Sequence, residues 1–247
     1  MKSEALTQRR HRDAFAAYSS GKLSDGMKLV QQCLETDPDD GRAWELGGLI
    51  HYAEQRFQES VNSIEHASAL VPLRAVGQAC LGHAYAKTNR PRLALNLLSE
   101  LIENESVSAG LMLQIATGLD AVGRPDLAIQ ACRRAVDQNP NLAQAHYDLG
   151  YYGGKVGVSF SQIESSIRRA INLAPHHSTY RVGLAGLLSE NGQAEEAHGL
   201  VARLTNHDLT SLNCSCCLQR LVTLYRSAKD TRRVVVCQQQ LLHLATR

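Results

Sequence analysis

Prolines and glycines recur along this chain with a period of about 34 residues, and that period limits the folds open to it. The prolines that mark it, with one gap near Ser106, are Pro38, Pro72, Pro140 and Pro175. The glycines that share it, with Gln55 and Asn89 at the intervening turns, are Gly21, Gly123, Gly157 and Gly192. A fixed period of this length is typical of repeat architectures, in which each repeat packs against its neighbours in the sequence.

This period divides the chain into seven repeats, 7–40, 41–74, 75–108, 109–142, 143–177, 178–211 and 212–247. Two amphipathic segments follow each other in a repeat, as in 43–54 and 57–70, with apolar residues at the spacing of a helix face. We predict that each repeat is a helical hairpin, with the first helix ended by a left-handed residue and the second by a proline connector. The fifth repeat is one residue longer, and we place the insertion at 158–161.

The second and third repeats carry a recognisable residue pattern. The second has large, small and aromatic residues at fixed offsets: Trp44, Gly47, Gly48, Tyr52, Phe57, Ala67 and Pro72. The third repeats several of them with Leu81, Gly82, Tyr85, Pro91 and Ala94. Over residues 7–247 the chain resembles the tetratricopeptide repeat family. The resemblance implies an all-α fold, a right-handed α-solenoid of antiparallel helix hairpins forming one domain over 1–247. Its first helices would line a concave surface that binds peptides or helices of other proteins.

Candidate binding residues lie on the first helices, turned away from the small residues of the hairpin seam. They are Tyr18, Arg42, Leu49, Tyr52, His83, Lys87, Leu113, Thr117, Tyr147, Tyr151 and Lys155, and the same face includes His11, Phe15 and Glu45. Tyrosines are effective binding anchors, and the cations donate to carbonyls and carboxylates. This mixture predicts a protein or peptide partner of acidic or polar character with apolar anchors. The alternative is that several tyrosines are buried between helices.

Composition excludes other classes of partner and places the chain in the cytoplasm. Lys and Arg number 26 against 24 Asp and Glu, a balance that argues against a nucleic-acid-binding protein. The sequence has neither an apolar run long enough for a membrane span nor the apolar segment of a signal peptide. Its seven cysteines are an odd number, and three of them crowd into 214–217, so we expect reduced thiols rather than a disulfide framework.

No catalytic constellation is evident in the sequence, so we expect a non-catalytic scaffold without a cofactor. Gly153-Gly154-Lys155 lacks the leading glycine and the final hydroxyl residue of a phosphate-binding loop. Cys214-Ser-Cys-Cys217 contains one Cys-x-x-Cys pair at an expected helix start, which is half of a common zinc site. We interpret these cysteines as packing and interface residues and expect no metal site. A thiol-based metal or redox sensor stays open as a third hypothesis.

The second hypothesis concerns the last helix, which is apolar on more than one side. Val235 and Leu242 are its candidate docking residues, and the sequence ends at Arg247 without the polar capping helix that solenoids usually carry. We therefore expect another surface to cover this end. The chain would then be a docking or regulatory arm of a larger assembly or enzyme, or it would form a homodimer through its last repeat.

Overall fold

The chain folds into two compact units built from α-helices. The computed structural model describes residues 2–246, with side chains from residue 7 onward. The units are Met1–Gln138 and Asn139–Arg247, called here the N-terminal and the C-terminal unit. Within the described range, no helix is long and apolar enough to cross a membrane.

In the N-terminal unit eight helices form four successive hairpins. They are α1 Lys2–Ser19, α2 Leu23–Thr36, α3 Gly41–Ala53, α4 Phe57–Leu70, α5 Ala75–Lys87, α6 Pro91–Ile102, α7 Ala109–Ala121 and α8 Pro125–Gln138. Helices α3, α5 and α7 begin at the first residues of the predicted repeats, 41, 75 and 109. The first helix of each following hairpin packs against both helices of the hairpin before it, which gives the stacked arrangement of an α-solenoid.

The described part of the C-terminal unit contains seven helices and one departure from the hairpin pattern. They are α9 Ala143–Lys155, α10 Phe160–Leu173, α11 Ser178–Glu190, α12 Ala194–Val201, α13 Asn206–Ser211, α14 Ser215–Ser227 and α15 Thr231–Ala245. The expectation of a simple hairpin for 178–211 is wrong, because α12 ends after eight residues and a short extra helix follows. The local cause is a capping box, in which Thr205 and Asp208 exchange side-chain and backbone hydrogen bonds and start α13 afresh.

Left-handed residues end the first helix of every repeat, as the sequence predicts. The glycines have φ between 76° and 81° at positions 21, 123, 157 and 192, and Gln55 and Asn89 adopt φ near 60°. Lys229 adopts the same left-handed conformation in the last repeat, where the sequence has no glycine at the turn. In six repeats the second helix starts two residues after this position, whereas α10 starts three residues after Gly157. The predicted insertion at 158–161 is therefore confirmed.

Small residues allow the two helices of a hairpin to approach closely. A Cβ atom added to Gly48 would lie 2.3 Å from Cγ1 of Ile64, and one added to Gly82 would lie 2.5 Å from Cδ2 of Leu98. Both Ile64 and Leu98 are completely buried. Full burial of a side chain of this size contributes about 1.5–3 kcal/mol, so the glycines act by admitting these side chains to the seam.

Candidate functional site

A buried carboxylate organises two arginines on the first-helix face of the N-terminal unit. The carboxylate of Glu45, in α3, has no exposed surface. It accepts hydrogen bonds from Nη1 of Arg42 at 2.9 Å, and from Nε and the backbone N–H of Arg74 at 2.9 and 2.8 Å. Both arginine side chains are more than 40% exposed. One negative and two positive charges leave this group with a net positive charge that is open to solvent.

An apolar wall stands beside the two arginines. Phe15 of α1 is 47% exposed, and the guanidinium carbon of Arg74 lies 6.0 Å from the centre of its ring. A cavity of about 300 Å³ opens between α1 and α3, and its lining includes His11, Phe15, Arg42, Leu46 and Arg74. We call Phe15, Arg42, Leu46 and Arg74 the arginine–phenylalanine site.

Helix periodicity explains why these side chains meet. Residues 11 and 15 on α1, and 42 and 46 on α3, are each four positions apart and therefore share one face of their helix. The first helices of successive repeats pack side by side, so the two faces border one cavity. Arg74 precedes α5 in a connector, and the sequence pattern did not select it. A cation one residue before the start of a first helix is the signal that could have identified it.

The other predicted binding residues of the N-terminal unit occupy different environments. Leu49 is wrong as a binding residue, because it is completely buried in the helix seam. Lys87 and Thr117 are exposed, whereas Tyr18 and Leu113 are half-buried. These four residues stay predictions.

Tyr52 and His83 form a hydrogen-bonded pair rather than two separate surface groups. The hydroxyl of Tyr52 lies 2.5 Å from Nδ1 of His83, and Nε2 of His83 is buried without a hydrogen-bond partner. Burial, together with the charge of Lys87, lowers the pKa of His83 to about 4. Burial raises the pKa of Tyr52 to about 12. Both groups are therefore neutral at pH 7, and His83 is not a cationic donor for a peptide.

In the C-terminal unit the predicted binding residues separate into a packed and an exposed group. Tyr147 is half-buried, its ring stacks on that of Tyr180 with centroids 4.8 Å apart, and burial raises the pKa of its hydroxyl. Tyr151 is 47% exposed, and the amine of Lys155 lies 4.6 Å from the centre of its ring. Tyr147 follows the alternative in which tyrosines pack between helices, while Tyr151 and Lys155 present an accessible aromatic and cationic surface.

The last helix exposes the two apolar residues selected for docking. Val235 is 49% exposed and Leu242 is 69% exposed, and a spacing of seven residues places both on one face of α15. The opposite side of α15 carries Cys237, which is completely buried in the core of the C-terminal unit.

The cysteines at 214–217 lie together at the start of α14. The sulfur atoms of Cys214, Cys216 and Cys217 all lie within 4.8 Å of one another, and those of Cys214 and Cys216 are 2.6 Å apart. Cys217 is buried, as a packing residue should be, whereas Cys216 is exposed and Cys214 is half-buried. Burial raises the pKa of Cys214, but the Cys216 thiol and the backbone N–H groups of Cys216 and Cys217 outweigh it, so the pKa lies below the usual thiol value.

Comparisons with known proteins agree with the helix-hairpin repeat. The tetratricopeptide repeat family matches residues 81–143. No curated protein matches the sequence significantly.

Solved structures share the fold at low sequence identity. YrrB, described as a TPR protein with an unusual peptide-binding site, is 20% identical, with a TM-score of 0.55 over 69% of this chain and 88% of its own. PilW, described as a type IV pilus biogenesis factor, is 14% identical, with a TM-score of 0.70 over 81% and 92%. Part of a TPR protein from Cytophaga hutchinsonii is 13% identical, with a TM-score of 0.62 over 95% of both chains. At these identities the likeness shows the fold alone.

The family match covers two adjacent hairpins, and the same hairpin geometry, left-handed turns and small-residue seams continue on both sides of it. Residues 81–143 therefore match the tetratricopeptide repeat family, and the described hairpins on both sides of this segment share its architecture.

Proposed function

We propose that this protein is a non-catalytic interaction scaffold that binds an acidic peptide segment of a partner protein at the arginine–phenylalanine site. The observation that carries the proposal is the pair of half-exposed arginines fixed by the buried carboxylate of Glu45, next to the exposed ring of Phe15. YrrB, which shares the fold, is described as having a peptide-binding site. That description supports a peptide as the class of ligand.

Charge and hydrogen-bonding capacity favour a carboxylate. Each guanidinium has five N–H donors in a planar fork that matches a carboxylate, and only some of those of Arg42 and Arg74 are directed to Glu45. Because the bonds to Glu45 restrain both side chains before a ligand arrives, binding costs less side-chain entropy than it would for free arginines. A peptide Asp or Glu is therefore the expected polar contact.

The cavity beside the arginines favours an apolar anchor in the same peptide. Phe15 and Leu46 line it together with the aliphatic parts of the arginine side chains. A volume of about 300 Å³ is at the lower end for small-molecule pockets and is enough for one large apolar side chain. The expected ligand places an acidic residue and an apolar residue close together in the sequence.

The test is selection from a phage-displayed random-peptide library, followed by fluorescence anisotropy with the selected peptide. Arg42→Gln retains a hydrogen-bond donor for Glu45 but removes the charge, and we expect about 10- to 100-fold weaker binding, since a hydrogen bond to a charged group contributes about 1.5–3 kcal/mol. Phe15→Ala should weaken binding by about tenfold. When the acidic residue of the peptide is replaced with its amide, the original chain and Arg42→Gln should bind the peptide with the same affinity.

Matched control variants lie on the second helix of the third repeat. Leu93 is 48% exposed, almost the same as Phe15, and Arg92 is an exposed arginine next to it. Leu93→Ala and Arg92→Gln should leave peptide affinity unchanged. Equal losses in the control and site variants, or no loss in the site variants when circular dichroism shows them folded, would refute the assignment.

A second candidate function is self-association through α15, favoured by the exposure of Val235 and Leu242 on one helix face. We propose a second copy of this chain as the partner of that face, since two such stripes placed together bury each other. Analytical ultracentrifugation should show a concentration-dependent dimer that Leu242→Ser removes and Leu93→Ser does not. A monomer at high protein concentration would exclude this function and leave the peptide site untouched.

A further inference from the structure

We propose that Cys214, Cys216 and Cys217 bind a thiophilic metal ion of the Zn²⁺ class, a function separate from peptide binding. The position of the three sulfur atoms carries the proposal. A Zn–S bond is about 2.3 Å, so two sulfurs that share one ion lie at most about 4.6 Å apart, and about 3.8 Å apart in a tetrahedron. All three sulfurs already lie within 4.8 Å of one another. Small side-chain rotations are therefore enough to surround one ion.

The 2.6 Å between the sulfurs of Cys214 and Cys216 must increase when an ion binds. Zinc coordination would separate them by about 1 Å. Cys216 is exposed and Cys214 is half-buried, so both side chains have room to rotate. Cys217, which is 5% exposed and packs in the core of the C-terminal unit, supplies the fixed third ligand.

The start of α14 supplies electrostatic support for this donor set. Cys214 precedes the first residue of α14 with an extended backbone, and Cys216 and Cys217 lie in the first turn. Unpaired backbone N–H groups at a helix start carry partial positive charge, which stabilises thiolates. Three thiolates and one Zn²⁺ have a net charge of −1, and the cavity beside Cys216 is lined by one cation, Arg220, and one carboxylate, Glu190.

A cavity next to Cys214 offers candidates for the fourth ligand. A cavity of about 540 Å³ is lined by Cys214 and by two histidines at the end of the fifth repeat, His176 and His177. A water molecule in this cavity, or an imidazole at its wall, would complete a four-ligand set. Three protein ligands with one accessible position distinguish this site from closed four-ligand structural zinc sites, which have no open position.

The test uses the full chain, reduced and freed of metal, and measures its binding of Zn²⁺ and Co²⁺. One Zn²⁺ should remain bound per chain after desalting, and Co²⁺ should give a thiolate-to-metal charge-transfer band with the strong visible bands of tetrahedral coordination. Cys214→Ser with Cys216→Ser should remove the band and reduce Zn²⁺ affinity at least 100-fold. Cys132→Ala is the matched control, because Cys132 is a buried thiol in α8 and belongs to no cluster of metal-ligating side chains among the described residues, and this variant should bind Zn²⁺ like the original chain.

A labelling experiment keeps the proposal testable if the double variant misfolds. Zn²⁺ should protect Cys214 and Cys216 of the original chain from alkylation by iodoacetamide, as read by mass spectrometry of the peptides. Alkylation at the same rate with and without Zn²⁺ would overturn the proposal. So would a Co²⁺ spectrum without a thiolate band.

The fourth ligand is identified with a histidine variant. If His176→Ala with His177→Ala keeps the charge-transfer band and shifts the visible bands, the site stands with an imidazole as its fourth ligand. If the visible bands stay the same, the site stands with water in that position.

Discussion

Replacing Gly48 with alanine tests whether close helix approach in the hairpin seam stabilises this fold. The new Cβ would lie 2.3 Å from Cγ1 of Ile64 and 3.2 Å from its backbone nitrogen, far inside the usual carbon contact of about 3.5–4.0 Å. Ile64 cannot move away easily, because it is completely buried and its branched side chain has one strongly preferred rotamer in a helix.

The expected loss of stability follows from two opposing effects. Overpacking a buried site costs about 1–3 kcal/mol, and a contact this short with an atom next to the backbone falls in the upper part of that range. In the opposite direction, alanine has a higher helix propensity than glycine, which stabilises the folded chain by about 1 kcal/mol. We expect Gly48→Ala to reduce the free energy of unfolding by about 1–2 kcal/mol.

Gly199→Ala is the matched control, because Gly199 lies inside α12 and a Cβ there meets no atom within 4 Å. This variant should be more stable by about 0.5–1 kcal/mol. Urea denaturation followed by helical circular dichroism measures both variants, and hydrogen exchange should locate the loss in α3 and α4. Shifts of the same sign in the two variants would refute the reasoning.

Three further predictions concern titrating groups and a helix cap. Because burial lowers the pKa of His83 to about 4, its neutral form stabilises the folded chain above pH 6.5, and this contribution of up to about 3 kcal/mol is lost as the pH falls to 4. His83→Gln should flatten that part of a stability curve measured by urea denaturation. Burial raises the pKa of Asp148 to about 6, so its contribution is present below pH 4 and is lost as the pH rises through 6. Asp148→Asn should therefore be more stable at pH 7 by about 1–3 kcal/mol, and an unchanged melting temperature would contradict this. Thr205→Ala removes the capping box of α13 and should cost about 1 kcal/mol, with faster hydrogen exchange confined to α13 and the segment before it.

The repeat and the seam follow from the sequence because they depend on local properties. Helix starts, left-handed turns and the inserted residue after Gly157 are decided by the backbone preferences of a few neighbouring residues and by the apolar period. These signals are repeated along the chain, so a missing mark such as the one near Ser106 does not hide the pattern. Lys229 was missed because an ordinary residue adopts φ 58° there under the constraint of the packed hairpin.

The surface was predicted less well, because a helix face does not determine its neighbours. Leu49 and Arg42 belong to the same predicted face of α3, yet Leu49 is fully buried and Arg42 is exposed. The adjacent helices cover part of this face, so only some of its residues are accessible to solvent. Arg74 joins the site from a connector, and only the folded chain brings it to the Glu45 carboxylate.

The sequence by itself determined the hairpin repeat and the positions of its turns, both of which rest on interactions between residues fewer than about 34 positions apart. The tertiary structure decided which side chains are accessible, that two arginines share one buried carboxylate, and that α12 stops early. It also showed that three cysteine sulfurs converge within reach of a single ion. These features depend on side-chain directions and on contacts between repeats, which a sequence period does not specify.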